Sequence, residues 1–238
     1  MLTKENHLTV IQYLKNKKLP LDLLVEVEDH MVEQLNYKIE TEEKPFYLAW
    51  IEVQQSWNKD LKMVLSFNIN RKITRFQKEI TGKTSKLLWK QTLKISLFPL
   101  FFTFILLFYN KLWASYWLLF IYGFLYAVLL LYALFNFKII HSGSQIRKRN
   151  ISYLQNAVTN LTLCLIFIPN FVFVNFWERF EKLYQACVHI IQLEASGWEW
   201  FTAVAYFSFF ILGIFGLLSF RECKKQMEFL KQKINFKL

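Results

Sequence analysis

Four stretches contain no Asp, Glu, Lys, Arg or His: Ile95–Tyr109, Leu112–Phe137, Ala157–Trp177 and Trp200–Phe220. Crossing a hydrocarbon core of roughly 30 Å takes about 20 mostly apolar residues in a helix. The last three stretches have that length. The first reaches it once Thr92, Leu93 and Lys94 are included, with Lys94 snorkelling towards the headgroups. The expected architecture is all-α: an integral membrane protein with four transmembrane helices in two hairpins and an N-terminal cytoplasmic helical bundle.

Composition agrees with a bilayer protein. The chain is 54% hydrophobic and 18% aromatic, with 25 Phe, 11 Tyr and 8 Trp. Trp and Tyr favour the two membrane interfaces. The net charge of +11 invites a nucleic-acid reading. Yet the basic residues cluster beside the spans, where topology requires them, so no direct nucleic-acid binding is expected. Cys164, Cys187 and Cys223 form no CxxC or Cys/His pattern, so neither a disulfide framework nor a zinc site is indicated. The first residues lack the apolar core of a signal peptide, so the N-terminal part is expected to stay in the cytoplasm.

The expected domains are a helical domain over 1–80, a basic juxtamembrane linker over 81–94, the membrane domain over 95–220 and a basic tail over 221–238. In the first, a helix near Lys4–Lys17 presents Val10, Ile11 and Leu14, with Thr3 as N-cap. A second, Leu21 to Ile39, carries one apolar stripe of Leu24, Val27, Met31, Leu35 and Ile39. Pro45 opens a third, with Phe46, Ala49, Trp50, Val53 and Trp57 on one side. A fourth helical stretch is expected near Asp60, through Leu61, Val64, Leu65 and Ile69. Such stripes with short connections suit a helical bundle.

Arg71, Lys72, Arg75, Lys78, Lys83, Lys86, Lys90 and Lys94 face only Glu79 as an opposing charge. Each cation near an anionic bilayer is worth about 1 kcal/mol, so Arg71, Lys72, Arg75, Lys78, Lys83 and Lys86 are candidate lipid-binding residues. The plainer reading is a topology signal, and both can hold. Lys138, Arg147, Lys148 and Arg149 follow the second span, and Arg221, Lys224 and Lys225 follow the fourth. Lys and Arg concentrate on alternate sides, so both termini are expected in the cytoplasm. Trp177–Leu193 reads as an amphipathic helix along the outer interface, with Trp177, Phe180, Tyr184, Cys187, Val188 and Ile191 on one face.

Polar constellations are few. Glu26, Asp29, His30 and Glu33 oppose the apolar stripe of the second helix, and Glu26, His30 and Glu33 are spaced i, i+4, i+7. A carboxylate–imidazole set of this kind could hold a metal if another helix supplied a ligand. A solvated face or a partner-docking surface is the simpler reading, so no metal and no cofactor is expected. Asn160, Pro169 and Asn170 make the third span a candidate intramembrane polar site, with Pro169 kinking the helix and the asparagines facing other spans. Gly213 and Gly216 are expected to permit close helix contact. No ionisable residue suited to a coupled pump lies within the spans, and no P-loop, GxSxG or HExxH motif occurs, so an enzyme is not expected.

The run Leu23-Leu24-Val25-Glu26-Val27-Glu28-Asp29-His30-Met31-Val32-Glu33-Gln34-Leu35, followed by Pro45-Phe46-Tyr47-Leu48-Ala49-Trp50-Ile51-Glu52-Val53, resembles the HAAS-type helical signalling domain of bacterial membrane proteins. The shared features are Glu26, the Asp29-His30 pair, Met31, and Phe46, Ala49 and Val53. The resemblance covers about residues 8–65. A glycine common before the Phe in that family is replaced by Lys44-Pro45. The resemblance implies a membrane-anchored regulator or sensor whose cytoplasmic domain binds a soluble partner, a PadR-like transcription regulator being the implied type. Glu26, Asp29, His30 and Glu33 would form the docking face. The alternative is a small transport or channel-like protein using the polar side of span three. Self-association is compatible with either.

Overall fold

The computed structural model describes residues 2–65, 72–144 and 154–234. The described chain is mainly helical and separates into two compact units, with the boundary between Thr84 and Ser85.

The first unit begins with α1, Lys4–Asn16, capped by the Thr3 hydroxyl, which accepts from the Asn6 amide at 3.3 Å. Lys18 takes a left-handed backbone (φ 53°) and turns the chain into Leu19-Pro20. Helix α2, Leu21–Glu40, follows, with Asp22 in its first turn, where a carboxylate suits the helix dipole. Helix α3 spans Phe46–Trp57, and Pro45 stands just before it as the cap. The turn between α2 and α3 places Glu43 at φ 53°. That is an uncommon position for a side chain with a Cβ, and it lies one residue before the Lys44-Pro45 pair.

The core matches the three apolar stripes. Val10, Leu14, Val27, Met31, Leu35, Ala49 and Val53 are fully buried together, with Leu24, Ile39, Phe46, Trp50 and Trp57 packed around them. Tyr13 meets Trp50 edge-on at 5.4 Å, and the Trp57 indole donates to Gln34 Oε1 at 3.0 Å. Each fully buried Leu or Met side chain contributes roughly 2 kcal/mol.

A charge cluster closes the α2–α3 hairpin. Glu52 accepts from Lys38 at 2.6 Å and from Lys44 at 2.7 Å, and Lys44 also reaches Glu42 at 2.8 Å. Hydrogen bonds from the two lysines hold the Glu52 carboxyl below its usual range, and Glu52 in turn holds Lys38 above its own. A depressed carboxyl adds stability that is present above its unfolded pKa and lost as pH falls through the folded value. Glu52→Gln is therefore expected to lower the thermal midpoint of this unit slightly at pH 7. The difference from the parent should vanish under acid; a difference that persists there contradicts the ionic origin.

The fourth helical stretch expected near Asp60 is not helical. Met63–Leu65 forms β1 and pairs antiparallel with β2, Lys72–Thr74, in the register Met63↔Thr74, Val64↔Ile73 and Leu65↔Lys72. The β-branched Val64, Ile73 and Thr74 suit a strand, and their pairing outweighs a helical spacing carried by only a few apolar residues. Ile69 and Arg71 lie outside the described residues. The return strand is tied down where Phe76 N donates to Asp60 O at 2.8 Å, and Thr74 then caps the next helix by accepting from Gln77 N at 3.2 Å.

Helix α4, Arg75–Tyr109, runs unbroken for 35 residues, so the basic stretch expected as a linker over 81–94 is helix throughout. Asn110 ends it and caps α5, Lys111–Phe135, accepting from the amides of Leu112 at 2.9 Å and Trp113 at 3.2 Å. Helix α6 spans Phe137–Ser144. Helix α7, Leu154–Ile168, passes into a π-helical turn over Pro169–Phe173. Helix α8, Phe176–Gln192, leaves at 82° to the preceding segment, through a left-handed Asn175. Helix α9 runs Gly197–Ile234, so the expected tail continues the last span as helix up to Ile234.

Among the described residues, three helices are long and apolar enough to cross a membrane, or four if the bent pair is one span. The third expected span is shorter than its hydropathy suggests. Its apolar helix ends at Phe173 rather than Trp177, because Pro169 has no amide hydrogen to give and the helix widens and turns there. The amphipathic helix after it is present, but its buried stripe is Phe176, Phe180, Leu183, Ala186 and Cys187, with Trp177 58% and Ile191 44% exposed. The stripe packs on α9, which rotates the buried face away from the one drawn through Trp177 and Ile191.

Glycines set the closest approach in this unit. A Cβ on Gly213 would stand 2.7 Å from Leu125 Cδ2 and 3.1 Å from Ile168 Cδ1. One on Gly216 would meet Cys164 Sγ at 3.1 Å and the Asn160 carbonyl at 3.7 Å. Small residues at such crossings let helix backbones approach where lipid supplies no hydrophobic drive.

Candidate functional site

The outward side of α2 carries the polar residues that the sequence singles out. With Val27, Met31 and Leu35 turned into the core, the helical period sends Asp29, His30 and Glu33 to the exposed side and leaves Glu26 half-buried beside them. His30 Nδ1 stands 3.9 Å from a Glu33 carboxylate oxygen, too long for a firm hydrogen bond. Among the described residues, no three His, Cys, Asp or Glu side chains gather as a metal cage.

Two grooves flank this side, and sequence periodicity reveals neither. One, of about 540 Å³, is lined by Leu2, His7 and Leu8 from the start of the chain and Val32 and Asn36 from α2. The Asn36 side-chain oxygen is buried there with no hydrogen-bond partner, an acceptor that lacks a donor. His7 pairs with Glu28 at 3.1 Å, and burial raises the Glu28 carboxyl despite that pairing. The other groove, of about 430 Å³, is lined by Glu33, Gln34, Tyr37, Lys38 and Glu42. Tyr37 is 59% exposed. One hint is present in the sequence, since Leu8 falls off the apolar stripe of its own helix.

Charge is divided along the chain. Residues 1–65 hold eight lysines and no arginine against eleven carboxylates, a net charge of −3, although the whole chain carries +11. The α2 surface thus lies in an acidic segment, residues 1–65, of a strongly basic protein.

Of the candidate lipid-binding residues, Lys72 is exposed on β2, and Arg75, Lys78, Lys83 and Lys86 are exposed on α4. At 100° per residue, Arg75, Lys83, Lys86, Lys90 and Lys94 fall within about 100° of one another, which makes one basic side. Lys83 also pairs with Glu79 at 2.9 Å, and Lys78 reaches the Leu65 carbonyl at 3.5 Å.

The candidate intramembrane site does not assemble. Asn160 is half-buried beside Gly216, whereas Asn170 faces outward and donates its amide to the Ile166 carbonyl at 2.7 Å. They stand about 15 Å apart along the helix. The expectation that Asn170 faces other spans is corrected: the π turn at Pro169 rotates it outward, where its own helix satisfies it. The turn's freed Phe171 carbonyl accepts from Arg179, whose guanidinium lies over the Phe171 ring at 5.3 Å.

A second polar cluster carries no motif in the sequence. Glu199 accepts from the Ser196 amide at 2.7 Å and from its hydroxyl at 2.8 Å, and pairs with His189. This ties the end of α8 to the start of α9. The carboxylate occupies the middle of the set, so the serine is held by an acceptor, and the imidazole does not address it as a general base would.

No protein-family model, no curated protein and no solved structure matches the chain.

Proposed function

We propose that the chain is a multi-pass protein of a bacterial inner membrane, with four spans and both termini in the cytoplasm. On this reading it acts as a non-enzymatic regulator or sensor. Its N-terminal helical domain holds a soluble protein partner through Glu26, Asp29, His30 and Glu33. The observation that carries the reading is the α2 surface itself. Asp29, His30 and Glu33 face outward with Glu26 half-buried beside them; Glu33 lines one groove, and Val32 and Asn36 of the same helix line another that carries apolar side chains. A docking surface offers this combination of apolar contact and directional polar groups. The alternation of basic segments supports the topology. The resemblance of residues 8–65 to the HAAS-type domain supports a signalling role, with a PadR-like regulator as the type of partner.

Removing residues 2–74, which leaves α4 whole, is the test. The truncated chain is expected to insert in the membrane normally and to lose the soluble protein that co-purifies with the full chain. Unchanged co-purification would overturn the reading.

A further inference from the structure

The geometry points to a binding site for one anionic phospholipid between α4, α5 and α9, with an acyl chain in an apolar cleft and the phosphate at Lys94 and Arg221. The inference rests on membrane placement and is independent of the partner-docking reading.

Aromatic contacts pin helix α4 to its neighbours near Trp89 and near Phe102. Trp89 stacks on Phe215 with ring centroids 4.4 Å apart. Further along, Phe102 meets Trp117 edge-on at 4.9 Å, and the Trp117 indole donates to the Thr103 hydroxyl at 3.1 Å. Between these pins Ile95 and Pro99 face a cleft of about 340 Å³, lined from α5 by residues such as Phe124 and Val128 and from α9 by Ile214, Leu217 and Leu218. Every residue of the lining is apolar.

The cleft opens sideways. Ile95 is 52% and Phe124 64% exposed, so its mouth is lipid-facing when the helices span a bilayer. An empty apolar space would forfeit the dispersion contacts of its walls, and water gains no partner there. The hydrocarbon at hand in a bilayer is an acyl chain, which enters from the side.

The headgroup follows from the cations next to the cleft's lining on α4 and α9. On α4, Gln91 lies four residues before Ile95, with Lys94 beside it, and both are exposed. On α9, Arg221 lies four residues after Leu217 and three after Leu218, and it too is exposed. Lys94 directly precedes the lining residue Ile95, about 100° from it around the helix, and Arg221 lies about one 5.4 Å turn past Leu217, so both stand near the part of the cleft that Ile95 and Leu217 line. Lys90 and Lys225 extend the positive region, while Glu222 pairs with Lys225 at 3.6 Å. Arginine and lysine over a hydrocarbon slot match a phosphodiester with its chain below. The local excess of cations favours a headgroup of net negative charge over a zwitterionic one.

The test uses the full chain in nanodiscs of phosphatidylcholine. These are doped either with phosphatidylglycerol bearing a photoreactive acyl diazirine or with phosphatidylcholine bearing the same chain. Mapped crosslinks are expected to concentrate around Ile95–Pro99 and Leu217–Leu218, about tenfold more from the phosphatidylglycerol probe. The double variant Lys94→Ala, Arg221→Ala should bring that probe down to the phosphatidylcholine level. Ile95→Trp, which fills the cleft from an exposed position, should remove labelling at Leu217–Leu218 and leave labelling at the exposed Phe108 unchanged. Equal labelling of the cleft by both probes would overturn the anionic assignment. Labelling no greater at the cleft than at Phe108 would overturn the site.

Discussion

Gly213→Ile is expected to destabilise the membrane unit by about 1–3 kcal/mol, the usual cost of forcing extra carbon into a packed crossing. The first added carbon already stands 2.7 Å from Leu125 Cδ2. Leucine can swing its terminal methyl aside, so alanine alone would be tolerated. A β-branched residue also meets Ile168 Cδ1, 3.1 Å from that first carbon, and the two neighbours cannot both give way without parting the helices. Gly123 provides the control, since nothing stands within 4 Å of a Cβ built there. Thermal unfolding in detergent should show a clear drop for Gly213→Ile and little change for Gly123→Ile. Equal effects would mean that helix propensity, not close approach, governs these positions.

Much of this packing is legible in the sequence. Alternation of charge-poor and charge-rich segments marks the spans, and three helical stripes mark the core of the first unit, because burial of one helix face imposes its period on the residues. Val27, Met31 and Leu35 sit in the core for that reason, and the same period turns Asp29, His30 and Glu33 outward. Short segments are less legible. Val64 and Leu65 are too few to show a period of two, and the hairpin with Ile73 and Thr74 is settled by pairing partners several residues away. Hydropathy overextends the third span, since it continues through Phe176-Trp177 while the backbone has already turned at Asn175. For α8, several faces are apolar enough to be buried, and contact with α9 decides among them. The grooves beside α2 depend on how the start of the chain lies over Val32 and Asn36, a tertiary arrangement that no local spacing encodes.

On the proposed reading, loss of partner capture is the other large expected effect. Glu26, His30 and Glu33 lie outside the core cluster, so their replacement by alanine should leave the helical unit folded. It would remove two carboxylates and an imidazole from this side of α2, and with them the polar groups that fix a partner's position. Truncating a handful of central contacts commonly costs an interface several kcal/mol, enough to abolish co-purification of a moderate complex. Within this set His30 stands 3.9 Å from Glu33, too long for a firm hydrogen bond.

The most direct test is therefore a crosslinking pull-down from native membranes, comparing the full chain with its Glu26→Ala, His30→Ala, Glu33→Ala variant at matched membrane abundance. A soluble protein held by the parent and lost from the variant is the predicted result. A partner retained at parental levels, or no soluble partner with either chain, would contradict the assignment of α2 as a docking surface.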